Sequence, residues 1–205
     1  MKKSLIIVAL LIGVLFASKV SAQVSLHVGY APEAWVSSNS TVTLNSVFVG
    51  GTYNLNLSGA LDIALGAQLR YGTETGNSSL YGLVSAKHTS TLVGLDIPIL
   101  LNYTFRLSGG LGLSLFIGPK FSYNFSGKTK YDGNVLGFSS STEYDWFDQN
   151  QGNLKPFNAA LTCGATFSYK QFRIFGGYSY GLTDVSPNNN TTTVGGPFFG
   201  LGMGL

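Results

Sequence analysis

Val93-Gly94-Leu95-Asp96-Ile97-Pro98-Ile99-Leu100-Leu101-Asn102-Tyr103-Thr104-Phe105 repeats with a period of two. Val93, Leu95, Ile97, Ile99, Leu101, Tyr103 and Phe105 share one face, and Gly94, Asp96, Pro98, Asn102 and Thr104 share the other. That period belongs to a β-strand, whose successive side chains point to opposite faces. Past the tight turn Arg106-Leu107-Ser108-Gly109 the pattern resumes. Leu111, Leu113, Leu115, Ile117, Phe121 and Tyr123 oppose Gly112, Ser114, Phe116, Gly118, Lys120 and Ser122. A soluble barrel would turn a well-charged face to water and bury the bulky one. Here the smaller face is mostly Gly, Ser, Thr and Asn, which suits a narrow lumen, and the bulky face suits lipid. Lipid accepts no unpaired backbone groups, so such strands must close into a ring.

Working outward, six further stretches carry the same alternation. They run from about Val24 to Trp35, through Val47 to Leu55, Leu61 to Tyr71, Phe157 to Tyr169, Phe172 to Leu182, and Phe199 to Leu205. The joints alternate in length. Leu57-Ser58-Gly59 and Lys170-Gln171 are short, whereas Thr73 to His88 and Ser126 to Pro156 read as long loops. The expected fold is all-β: an eight-stranded antiparallel up-and-down transmembrane barrel with periplasmic termini, short periplasmic turns and longer extracellular loops. Outward Tyr30, Tyr71, Tyr123, Phe157 and Tyr180 near the loops, and Tyr103, Phe105, Tyr169 and Phe172 near the turns, are expected to form two interfacial belts.

The first residues read as a secretory signal. Lys2 and Lys3 precede an apolar run of 12 residues, Leu5 to Phe16, and Val20-Ser21-Ala22 forms a small-x-small cleavage pattern. The run is shorter than the ~20 residues of a spanning helix. The expected organisation is a cleaved signal peptide at 1–22 and one barrel domain at 23–205. Lys2, Lys3 and Lys19 leave with the leader, which turns 12 Lys+Arg against 9 Asp+Glu into a formally neutral mature chain. Charge therefore points to no nucleic-acid partner. A single cysteine, Cys163, rules out an internal disulfide framework, and its phase places it on the lipid face.

Leu95-Asp96-Ile97-Pro98-Ile99-Leu100-Leu101-Asn102-Tyr103 resembles the isoleucine–proline–aliphatic strand of PorT-like outer-membrane β-barrel domain proteins. Gly118-Pro119-Lys120-Phe121-Ser122-Tyr123 resembles their following strand, and Tyr178-Ser179-Tyr180-Gly181-Leu182 and the glycine-alternating C-terminus fit as well. The resemblance covers nearly the whole mature chain. It implies a small eight-stranded barrel in the outer membrane of a Gram-negative bacterium, porin-like in architecture. Most such proteins carry no assigned activity, and some serve secretion machinery. The chain departs from many outer-membrane barrels at its end, Met203-Gly204-Leu205, which is apolar but not aromatic. Outer-membrane lipid and, during biogenesis, the barrel assembly machinery are the partners the resemblance implies.

Phase alone points Glu33, Asp62, Arg70, Asp96, Lys120 and Arg173 into the lumen, together with His27. Three acids and three bases balance. Eight strands leave room inside for side chains and little else, so a paired ionic network that plugs the lumen is expected over an ion path. Gly177-Tyr178-Ser179-Tyr180-Gly181 matches G-x-S-x-G, but that motif exposes its serine on a strand-to-helix turn, and here no helix follows. His88 reads as a solvated loop residue, no metal-ligand spacing occurs, and no cofactor is expected. The long loop gathers Tyr144, Asp145, Trp146 and Phe147, which read either as a contact patch or as groups folded back on the barrel mouth. The expected role is non-enzymatic: structural, or interaction at the cell surface through the loops, with an extracellular or secretion-apparatus protein as partner. A narrow channel for small solutes, a component of a secretion apparatus and, remotely, a lipid-modifying enzyme are the alternatives.

Overall fold

The computed structural model describes residues 23–37, 41–80, 84–135, 138–186 and 191–205. The expected signal peptide at 1–22 lies outside the described residues. Among the described residues there are nine strands: β1 (Gln23–Ser37), β2 (Thr41–Ser58), β3 (Leu61–Leu80), β4 (Val84–Arg106), β5 (Leu111–Val135), β6 (Phe138–Asp145), β7 (Phe157–Tyr169), β8 (Phe172–Gly181) and β9 (Thr192–Gly204). Each of β1 to β5 pairs antiparallel with the next, β5 pairs with β7, and β7, β8 and β9 continue the series. The ring closes where β9 meets β1, in register from Ser25↔Gly204 to Ser37↔Thr192. Eight strands thus make the barrel. The ninth, β6, pairs with the distal part of β5 from Lys128↔Asp145 to Val135↔Phe138.

The alternation becomes a lipid-facing surface. Leu69, Ile174, Tyr180, Phe199 and Leu201 are each more than half exposed, on strands around the ring. Apolar side chains exposed on this scale need hydrocarbon beside them. Cys163 is exposed on the same surface. Tyr53 departs from expectation: it lies in the outward phase yet is only 8% exposed. It stands in register between Val24 on β1 and Leu65 on β3.

Two expected loops are strand instead. Thr73 to His88 forms the ends of β3 and β4, paired continuously from Thr73↔Thr91 to Leu80↔Val84. Most of Ser126 to Pro156 is the outer half of β5 and its return strand β6. The reason is physical. A strand above the bilayer has water on both faces, so it needs no apolar alternation and shows none. β-Branched threonines at 73, 75, 89, 91 and 129 favour the extended backbone nonetheless. The turn ends are tight: Gly59 takes φ 51°, Gly109 and Gly110 take φ 75° and 79°, and Lys170 takes φ 54°.

Candidate functional site: the lumen and its mouth

The interior of the barrel is layered along its axis. In the loop-side half, β1, β3, β4 and β5 bring Glu33, Arg70, Asp96 and Lys120 together. Arg70 Nη1 donates to Glu33 Oε2, Arg70 Nε lies 3.3 Å from Asp96 Oδ2, and Arg70 Nη2 donates to Asn124 Oδ1 at 2.9 Å. Lys120 Nζ stands farther off, 3.9 Å from Glu33 Oε1 and 3.8 Å from Asp96 Oδ2. Two acids face two bases, so the cluster is neutral. The Arg70 and Asp96 side chains are 3% exposed and that of Lys120 is 13%. A buried charge of this kind persists only when it is paired. Arg70 is the hub, and Lys120 is the outlying, better solvated member. Replacing Lys120 with methionine is expected to cost about 1–2 kcal/mol, the scale of one charge-assisted contact. Urea titration of the detergent-folded barrel checks this, and an unshifted midpoint counts against it. The other two lumen charges lie nearer the turns. Asn102 Nδ2 donates to Asp62 Oδ1 at 2.6 Å, and Arg173 interacts electrostatically with Asp62.

Between these charge layers lies an aromatic one. Phe48, Phe116, Phe175 and Phe198 point inward, with His27 edge-on to Phe48 at 6.1 Å and to Phe175 at 5.7 Å. Phe198 links Phe175 and Phe116, with centroids at 6.5 and 6.2 Å. Each ring tip rests on a glycine of another strand. A Cβ at Gly29 would collide with the Phe48 ring. At Gly164 it would stand 2.5 Å from Phe116 Cζ, at Gly200 2.5 Å from Phe175 Cζ, and at Gly177 2.8 Å from Phe198 Cζ. The inward glycines are therefore recesses that receive the phenyl rings. Phe175 and Phe198 escaped the sequence reading although their phase marks them: Phe175 shares a face with Arg173 and Gly177, and Phe198 with Gly200.

The mouth is closed by a separate apolar cluster. Trp35, Leu44, Leu92 and Val194 come from the barrel strands, and Trp146 and Val185 from the connections above them; Phe147 and Leu154 pack against the cluster. Leu44, Leu92 and Val185 are fully buried. The Trp146 ring meets Trp35 edge-on at 5.4 Å, and its Nε1 donates to Thr129 Oγ1 at 2.8 Å. Backbone bonds pin the covering segment: Trp146 N to Gly127 O, Leu154 N to Trp146 O and Lys155 N to Val185 O, each 2.8 Å. Asp145 shapes the turn by accepting from Phe147 N at 2.9 Å, while Tyr144 stays exposed and donates to Gln151 O at 2.7 Å. Of the four loop residues singled out by sequence, Trp146 and Phe147 turn toward the barrel and Tyr144 faces solvent.

Asp184 fastens the other connection. Its carboxylate accepts from Thr192 N at 2.8 Å and Ser186 N at 2.9 Å, and these backbone donors hold it below the usual aspartate range. A depressed carboxylate stabilises the fold above its ordinary pKa and loses that effect as pH falls through the lowered value. The protection factors of the Thr192 and Ser186 amides, their exchange relative to an unstructured chain at the same pH, are expected to fall only below about pH 4. Protection already lost at pH 6 would contradict the clasp.

Ser179 lies within β8, its Oγ 3.0 Å from Thr162 Oγ1, while His27 Nε2 is 3.0 Å from Gln68 Nε2. The G-x-S-x-G serine thus sits in a strand beside a threonine, not on a turn beside a base. Among the described residues no group of three or more His, Cys, Asp or Glu could hold a metal ion.

A closed antiparallel ring with bulky apolar residues outside and a polar, charge-paired interior defines an integral outer-membrane β-barrel protein. The chain belongs to the family described as the outer membrane protein beta-barrel domain, whose model matches residues 10–186. No curated protein matches the chain. Among solved structures it is similar to Ail, the attachment invasion locus protein of Yersinia pestis, crystallised with the heparin analogue sucrose octasulfate. Identity is 16%, over 90% of this chain and 99% of that one, with a TM-score of 0.48. It is similar also to Neisserial surface protein A, at 14% identity over 89% and 96% of the two chains and a TM-score of 0.41. A third likeness is the N-terminal β-barrel domain of Pseudomonas aeruginosa OprF, at 12% identity over 90% and 100% and a TM-score of 0.36.

Proposed function

We propose that this barrel is a non-enzymatic, non-conducting protein of the Gram-negative outer membrane that works through its extracellular hairpins. The observation that carries this reading is the double closure of the loop-side lumen. A neutral ion cluster fills the bore, and Trp35, Leu44, Leu92, Trp146, Val185 and Val194 cover it. Ions have no open route through an apolar lid with fully buried members. The sheet, in contrast, continues outward as the paired ends of β3, β4, β5 and β6. That extension carries exposed mixed charge, including Lys128 2.5 Å from Glu143 and Lys130 3.0 Å from Asp132. Structured, solvated projections of this kind are where contact with other molecules is made.

On this reading residues 1–22 are an export signal and 23–205 the mature barrel. Its partners are outer-membrane lipid, the barrel assembly machinery during biogenesis, and a protein met by the hairpins, extracellular or part of a secretion apparatus. The PorT-like motifs at Leu95–Tyr103 and Gly118–Tyr123 support the narrower family assignment. Planar-bilayer recording of the folded barrel tests the reading. A silent membrane is expected, and steady openings would overturn it in favour of a narrow solute channel.

A further inference from the structure

Among the described residues β6 ends one branch of the sheet: it pairs with β5 on one side and with no strand on the other. Its hydrogen-bond phase tells which groups the outer side presents. Trp146 N donates to Gly127 O, so these two residues form a hydrogen-bonded pair. Such pairs recur at every second position of an antiparallel ladder. Along the register, Tyr144, Thr142 and Ser140 therefore turn their N–H and C=O toward β5, and Asp145, Glu143 and Ser141 turn theirs away. The chain satisfies the first of the outward residues itself. Asp145 N donates to Gln151 Oε1 at 2.6 Å, and Asp145 O accepts from Gly152 N at 3.1 Å. Among the described residues no hydrogen bond reaches the backbone of Glu143 or Ser141 from that side. Proteins blunt exposed edges with lysine, proline, a bulge or a covering segment. β6 has none of these. It reads Phe-Ser-Ser-Ser-Thr-Glu-Tyr-Asp, its register with β5 is unbroken, and residues 139–144 are all exposed.

We propose that the outer edge of β6 takes up an extended segment of a partner protein as a further antiparallel strand, with a lysine or arginine of that segment opposite Glu143. The proposal rests on the reading that the hairpins meet a protein, and it gives that contact its place and mode. Strand addition draws affinity from backbone bonds and specificity from alternate side chains. The side chains of this edge call for a base. Lys130 on β5 stands opposite Glu143, so a cation on the incoming strand continues a row of alternating sign. β6 itself carries two acids, Glu143 and Asp145, and no base. The Glu143 side chain is 55% exposed, which leaves it open to an incoming strand. A second copy in the same membrane does not fit an antiparallel place. β6 runs from Phe138 at the tip to Asp145 at the mouth, so two upright copies present parallel edges.

The test is fluorescence anisotropy of a dye-labelled hexapeptide, Val-Lys-Val-Thr-Val-Thr, with the full-length barrel folded in phosphatidylcholine nanodiscs. Laid antiparallel from Tyr144 to Ser139, its second and fourth residues face Glu143 and Ser141, and its third and fifth turn away. Saturable binding is expected. Methylating the amide nitrogens of the second and fourth residues should weaken it at least about tenfold, the scale of two lost backbone hydrogen bonds. Methylating the third and fifth should leave it within about twofold, because those nitrogens face away from β6. Glutamate in place of the peptide's lysine should weaken it as well. Ser141→Pro should abolish binding while the barrel stays folded, since that nitrogen points away from β5 and the ladder keeps its bonds. Absence of saturable binding overturns the proposal, as do equal affinities for the two methylated peptides or binding that survives in a folded Ser141→Pro. If Ser141→Pro does not fold, the methylated pair decides alone. Vesicles that clump without peptide, and do not clump with Ser141→Pro, would overturn it in favour of a second copy in a facing membrane. None of these failures touches the sealed lumen, which planar-bilayer recording decides separately.

Discussion

Replacing Arg70 with methionine is expected to destabilise the barrel by about 3–5 kcal/mol, the cost of stripping one partner from a buried ionic group. Arg70 serves Glu33, Asp96 and Asn124 at once, and these groups sit on three different strands. Without it, Lys120 is the one cation left to Glu33 and Asp96 in the cluster, at 3.8 to 3.9 Å. Two carboxylates would then share one cation in a medium that solvates them poorly. Urea titration in lipid vesicles, followed by tryptophan fluorescence, measures the loss. The quadruple variant Arg70→Met, Lys120→Met, Glu33→Gln, Asp96→Asn should recover most of it, because removing all four charges removes the penalty of leaving one unpaired. Equal midpoints for wild type and Arg70→Met would show that the cluster contributes nothing.

The second large effect is expected at the lid. Trp146→Ala removes a side chain that is 9% exposed, packed on Trp35 and bonded to Thr129. Truncating a buried tryptophan costs about 3–5 kcal/mol. The loss should be local. The lid is held by a few backbone bonds to Gly127 and Val185, whereas the barrel wall is held by complete ladders. An element with few fastenings opens before the whole fold does. Hydrogen exchange should therefore accelerate at the Leu154 and Lys155 amides while the β7 and β8 ladders keep their protection. The variant should also stay silent in planar bilayers, because the ion cluster still lies below. Unchanged exchange at Leu154 would mean that Trp146 does not secure the lid.

Much of the barrel can be read from alternation because each membrane strand meets two different media. Hydrocarbon selects Leu69, Ile174 and Leu201 on one side, and a narrow lumen selects Gly and Ser on the other. Above the bilayer that contrast vanishes. The outer parts of β3, β4 and β5, and all of β6, therefore look like loop in sequence although they are paired strand. The site shows the same division. Phase tells which side chains face inward, including Glu33, Arg70, Asp96 and Lys120. It does not tell which of them meet, since β1 and β3 are not neighbours in the sheet and the contact crosses the lumen. Trp146 was harder still. It lies in a segment without periodicity, and only the folded chain shows its ring lying against Trp35.

The seam between β1 and β9 sets the order of events in folding. Ser25 and Gly204 are partners from opposite ends of the described residues, so the most distant pairing is also the one that seals the sheet. Contacts of such long range are slow to form, because the chain between them must first be brought into place. Until they form, β1 and β9 each present an open edge that can pair with the wrong chain. Formation of β9 is thus what ends the period of exposure, and a chain interrupted before β9 leaves a sheet that cannot close on itself.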